Sequence, residues 1–84
     1  MYYVYVIVNE KKETYIGYTN DLQRRISEHN KGYNFSTKGS KWILVYYEAY
    51  LSELNARERE NKLKARGSSK QKLIKRIEKS ILSI

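Results

Sequence analysis

A chain of 84 residues makes one small domain, whose fold buries roughly 60% of the surface exposed by the unfolded chain and leaves no length for a second core. It contains no cysteine and a single histidine, which rules out disulfide staples, thiolate metal sites and a multi-histidine zinc site. Seventeen Lys and Arg against nine Asp and Glu give a formal charge of +8, which favours a polyanionic partner such as nucleic acid, with an anionic membrane surface the weaker option.

Residues 2 to 8, Tyr-Tyr-Val-Tyr-Val-Ile-Val, are continuously apolar and β-prone, the pattern of a central strand covered on both faces. Asn9 to Glu13 is polar and turn-like, so residues 2 to 18 read as a β-hairpin that brings Tyr5 and Tyr15 near each other. Gly17 interrupts the second strand and admits the close approach of another backbone or a ligand. Thr19 or Asn20 caps a helix over about residues 21 to 31, with Asp21 at its positive end and Lys31-Gly32 as its stop signal. Residues 32 to 40 form a loop of aromatics, hydroxyls and a lysine, a composition suited to backbone contacts and stacking on nucleic acid through groups such as Thr37 and Lys38. Lys41 to Tyr50 is a third strand, too uniformly apolar to leave one face in water, with Glu48 near its end and facing the site. Ser52 caps a helix running to about Arg66, and Ser68 or Ser69 caps a last helix with Leu73, Ile74, Ile77, Ile81 and Ile84 on one side and lysines mostly elsewhere. The fold class is therefore α+β, a small three-stranded sheet packed by three helices in the order ββαβαα.

Nine Tyr stand beside one Phe and one Trp, and a buried phenol must find a hydrogen-bond partner, so some tyrosines are expected to do polar work. At about 100° per helical residue, Arg25 and His29 border the apolar stripe of Leu22 and Ile26, where together with Tyr15 they can converge on one anion. Glu60 falls on the buried stripe of its helix between Ala56 and Leu63, a position where a carboxylate needs a cation, either a basic side chain or a bound metal. Any such metal would be one hard ion with several waters, Mg²⁺ or Mn²⁺, which suits phosphate chemistry. No segment approaches the roughly 20 apolar residues of a membrane span, and no secretory leader is recognisable, so a cytoplasmic protein without membrane partners is expected.

Taken together, Tyr3-Val4-Tyr5, Tyr15-Ile16-Gly17, Arg25, His29 and Glu60 on a later helix resemble the GIY-YIG nuclease domain. The resemblance spans nearly the whole chain and is strongest to small standalone members similar to the excision-repair incision domain, although Tyr3-Val4 replaces the Gly-Ile of the first motif. It implies a metal-dependent endonuclease acting in DNA repair, with Tyr5, Tyr15, Arg25, His29 and Glu60 as catalytic residues. In it, one tyrosine activates water, Arg25 neutralises the phosphate and Glu60 holds Mg²⁺ or Mn²⁺. Tyr3, Gly17, Thr37, Lys38 and Lys64 are the expected nucleic-acid contacts, and the partner is DNA, branched or structured, with RNA also compatible. The competing reading from a different class is a non-catalytic basic nucleic-acid-binding module, or a subunit of a larger nuclease assembly.

Overall fold

The N-terminal apolar run is the middle of the sheet. In the computed structural model, which describes residues 1–84, β1 (Tyr2–Val8) pairs antiparallel with β2 (Thr14–Thr19) on one side and β3 (Ile43–Tyr50) on the other. Helix α1 (Leu22–Asn30) follows β2 and α2 (Glu53–Lys64) follows β3. The last helix is divided at Ile77 into α3 (Ser69–Arg76) and α4 (Glu78–Leu82), a bend that keeps Leu73, Ile77 and Ile81 buried while α4 turns onto β3. The architecture is the expected α+β fold.

Alternation along β1 sends its side chains to two separate cores. Val4, Val6 and Val8 face α2, α3 and α4, meeting Ala56, Leu63 and Leu73. Tyr5 and Ile7 face the other way, against Trp42 and the Leu22 and Ile26 stripe of α1. This is why β1 has no polar alternation.

The third strand departs from expectation. No residue of β3 is buried, and on the face it shares with Tyr3 and Tyr5 it leaves Tyr47 53% exposed and Ala49 exposed as well. A single helix about 10 Å across covers two strands spaced about 4.8 Å apart, and α1 lies over β1 and β2, so β3 is an edge strand with one open face. The start of α1 is also shifted: Asp21 is the N-cap, accepting from the Arg24 amide at 3.1 Å, while Thr19 Oγ1 accepts from the Asp21 amide at 3.1 Å. Ser52 caps α2 as expected, accepting from the Asn55 amide at 3.4 Å.

Candidate active site

Gly17 lies opposite Tyr5 in the hairpin register, and Tyr15 lies opposite Ile7, so Tyr5, Gly17 and Tyr15 share the α1 face. A Cβ at position 17 would stand 2.2 Å from Tyr5 Oη and 2.4 Å from its Cζ. Only glycine lets the phenol lie across β2 and reach α1.

There the Tyr5 hydroxyl meets His29 Nε2 at 2.7 Å, and His29 Nδ1 meets Thr37 Oγ1 at 2.8 Å. The Thr37 hydroxyl gives its one proton to the Asn34 carbonyl at 3.3 Å, so it accepts from His29 Nδ1–H, and His29 Nε2 accepts from Tyr5. All three side chains are buried. Burial, reinforced by the Arg25 guanidinium, pulls the imidazole down to about 4, so it is neutral at physiological pH. Burial pushes the Tyr5 phenol up to about 12, with Arg25 beside its hydroxyl opposing the rise. This sealed chain is a neutral, hydrogen-bonded unit.

The open half stands at the β2 edge. Tyr15 is half-buried, its ring edge-on to His29 at 5.0 Å between centroids and to Trp42 at 6.4 Å, and its hydroxyl accepts from Asn34 Nδ2 at 3.3 Å. Arg25, one turn before His29, pairs with Glu28 at 3.0 Å and keeps 26% of its side chain exposed. Glu60 reaches the same edge from α2: Ala56 and Leu63 on its stripe are fully buried, whereas the Glu60 side chain is 19% exposed and pairs with Lys64 at 3.2 Å. The Lys64 ammonium lies 5.3 Å from the Tyr15 ring centroid, and the Glu60 charge is felt at the Tyr5 hydroxyl. Five residues far apart in sequence, Tyr5, Tyr15, Arg25, His29 and Glu60, thus come together with Lys64 and Gly17.

Other expected contacts fall elsewhere. Thr37, read as a nucleic-acid contact, is 1% exposed and orients His29 instead, because the loop folds inward through a 3-10 turn at Phe35–Thr37. Tyr3 packs edge-on against Tyr47 of β3, at 5.8 Å, rather than joining the site. Lys38 is exposed on the loop beside Lys31 and Lys41, around a shallow groove of about 390 Å³. Glu48 does not face the site: paired with Val4 in the register, it lies on the α2 face, where Arg59 and the hydroxyls of Tyr46 and Tyr50 bind it. Asn34, Trp42 and Glu28 were not singled out by sequence; only the i, i+3 spacing of Arg25 and Glu28 signals its contact in advance.

The donor chemistry fits a hard divalent ion at Glu60. The carboxylate sits at the rim, and its ion partner Lys64 is itself 45% exposed. No cluster of three or more His, Cys, Asp or Glu side chains is present to enclose a metal, so an ion held by Glu60 would complete its shell with water and phosphate oxygens.

The family model of the GIY-YIG catalytic domain matches residues 1–79. The chain belongs to the GIY-YIG family. Among its curated relatives, the UPF0213 protein SH2523 of Staphylococcus haemolyticus is 34% identical, over 92% of this chain and 94% of its own. The UPF0213 protein SpyM50708 of Streptococcus pyogenes is 37% identical, over 84% of this chain and 79% of its own. No solved structure matches at the level at which these relatives do. Within this GIY-YIG domain, Tyr5 and the Tyr15-Ile16-Gly17 segment occupy the hairpin just described, and no helix is long and apolar enough to cross a membrane.

Proposed function

We propose that this GIY-YIG protein is a cytoplasmic endonuclease that hydrolyses DNA phosphodiester bonds with the aid of Mg²⁺ or Mn²⁺. The observation that carries this reading is the convergence of Tyr15, Arg25 and Glu60 at one solvent-open edge, braced by the sealed Tyr5–His29–Thr37 chain. Of the two motif phenols only Tyr15 is partly open to solvent, so it binds the attacking water through its phenolic oxygen and, acting as the phenolate, takes up that water's proton to become the neutral phenol. Arg25, oriented by Glu28, neutralises the charge that develops on the phosphate as the new P–O bond forms and the P–O bond to the leaving sugar oxygen breaks. Lys64, next to Tyr15, adds positive charge where the backbone enters. Glu60 would hold a divalent ion, whose charge would stabilise the leaving oxygen.

The test is a nicking assay on linear, branched and flapped DNA with each metal, comparing the parent with Glu60→Gln. The variant keeps the size of the side chain and discards its charge. Because the Lys64 side chain is 45% exposed, loss of the pair strands no buried cation, and stability should change by less than about 1 kcal/mol. Cleavage should be lost with metal-free melting unshifted. A variant that melts well below the parent yet cleaves equally per folded molecule would overturn the metal role of Glu60.

A further inference from the structure

A second cavity, of about 380 Å³, lies on the opposite sheet face from Tyr5 and His29, between α2, α3 and β3. Its rim is cationic from two sides. Arg59 and Lys62 project from α2 at i, i+3, and Lys72 and Arg76 from α3 at i, i+4, with Ser69 one turn earlier on the same stripe. Glu48 forms part of its wall, but that carboxylate is already engaged: Arg59 donates to it from Nε at 2.9 Å and from Nη2 at 3.0 Å, and Tyr46 donates to Oε2 at 2.6 Å while Tyr50 donates to Oε1. Arg59 and Glu48 therefore neutralise each other. Lys62, Lys72 and Arg76 form no ion pair, so three uncompensated positive charges converge on one concave surface. Arg76 lines the cavity beside Tyr46 and, like Lys62 and Lys72, keeps its side chain exposed to an incoming ligand.

Three like charges drawn together by two helices repel one another unless an anion lies between them. Ser69 adds one hydroxyl to the wall, the Arg76 guanidinium fork suits a tetrahedral oxyanion, and the cavity is open enough to admit one. We propose that this cavity is a second phosphate-binding site, separate from the edge that holds Tyr15 and Arg25. The phosphate is either that of a nucleic-acid backbone running over the far face of the sheet or that of a free polyphosphate. Either way the site does not depend on cleavage, so its fate is independent of the proposed nuclease activity.

Two metal-free measurements test it. In the first, the parent and a Lys72→Ala/Arg76→Ala variant are titrated with inorganic pyrophosphate while backbone amide shifts are followed by NMR. The expected result is saturable shifts at Ser69, Lys72 and Arg76 in the parent, lost in the variant. In the second, DNA affinity is measured against salt for both proteins and for a Lys11→Ala/Lys79→Ala control, which removes the same charge from exposed positions elsewhere. A backbone phosphate in the cavity makes the slope of log affinity against log salt shallower by about 2 in the cavity variant and not in the control. Pyrophosphate saturation with an unchanged DNA slope assigns the site to a free polyphosphate. The proposal is overturned if pyrophosphate shifts do not saturate and the cavity variant changes the DNA slope no more than the control does.

Discussion

Acidification should weaken this fold through His29 in addition to its carboxylates. The imidazole is fully buried and neutral, with its folded value near 4 against an ordinary 6.5. Burial is the main cause, Arg25 and Lys64 add repulsion from the cationic form, and Glu28 opposes them. A folded value below the unfolded one means that the unfolded chain binds the proton first, so the contribution is complete above pH 6.5 and is lost as pH falls towards 4. At about 1.4 kcal/mol per pH unit, that interval amounts to about 3 kcal/mol, a large share of the stability of so small a domain. Carboxylates titrate in the same range, and a His29→Gln variant removes their effect because they are common to both proteins. Urea unfolding of the parent and of His29→Gln at pH 7, 5.5 and 4 isolates the histidine. The parent's advantage at pH 7 should shrink progressively and be reduced by about 3 kcal/mol at pH 4. Parallel stability profiles for the two proteins from pH 7 to 4 would refute the buried neutral imidazole.

Three further outcomes follow from the same geometry. Gly17→Ala drives a methyl into Tyr5 Oη, so the ring must move off His29, and overpacking together with the broken buried bond should cost about 2 to 5 kcal/mol, read as a lowered urea midpoint. Arg25→Ala should lower cleavage by about 100-fold or more and, by removing a cation that opposes protonation, move the His29 titration upward in an NMR pH series; an unmoved imidazole would place Arg25 elsewhere. Phe35 is 93% exposed and Tyr33 71% exposed on the loop that carries Lys38, so Phe35→Ala should weaken binding to flapped or single-stranded DNA severalfold more than binding to duplex, with equal losses on both counting against base stacking by this loop.

The features legible in the sequence are those set by periodicity and by backbone permission. The unbroken apolar run of β1 announces a strand with two covered faces, the i, i+4 pair Arg25 and His29 announces a shared helix edge, and Glu60 between Ala56 and Leu63 announces a carboxylate at a buried margin. Gly17 is legible as a close approach, although its partner, the Tyr5 ring, emerges only from the register. What escaped depends on which neighbours exist. An edge strand and a central strand are both apolar when each packs on a helix, so the open face of β3 has no local signature. Glu48 and Thr37 were assigned towards the wrong surroundings for a related reason. Strand parity tells that Glu48 opposes its neighbours but not which face holds the site, and a polar loop residue turns inward only if a buried partner such as His29 awaits it.

The site is divided between two kinds of residue, and the division decides how any substitution in it should be read. Tyr5, Gly17, His29 and Thr37 are sealed: each has lost its contact with water and holds a neighbour in place, so removing one leaves a buried polar group unpaired or a ring displaced. Such changes lower stability and activity together, and lost cleavage alone assigns them no chemical role. Arg25, Glu60 and Lys64 are open: their charged ends lie at the rim, their pairings are contacts of small energy, and truncating one leaves the fold nearly unchanged, whereas Tyr15 stands between the two sets, its ring packed on the Tyr5, Ile7 and Trp42 core. Activity lost from the open set without a change in melting is therefore chemistry or substrate contact. The sealed set explains why so small a domain devotes its one histidine and its most buried tyrosine to a pair that never meets solvent. Through Thr37 and Asn34, that pair fixes the loop whose Asn34 side chain holds the Tyr15 hydroxyl, so the buried chain sets the position of the half-buried phenol.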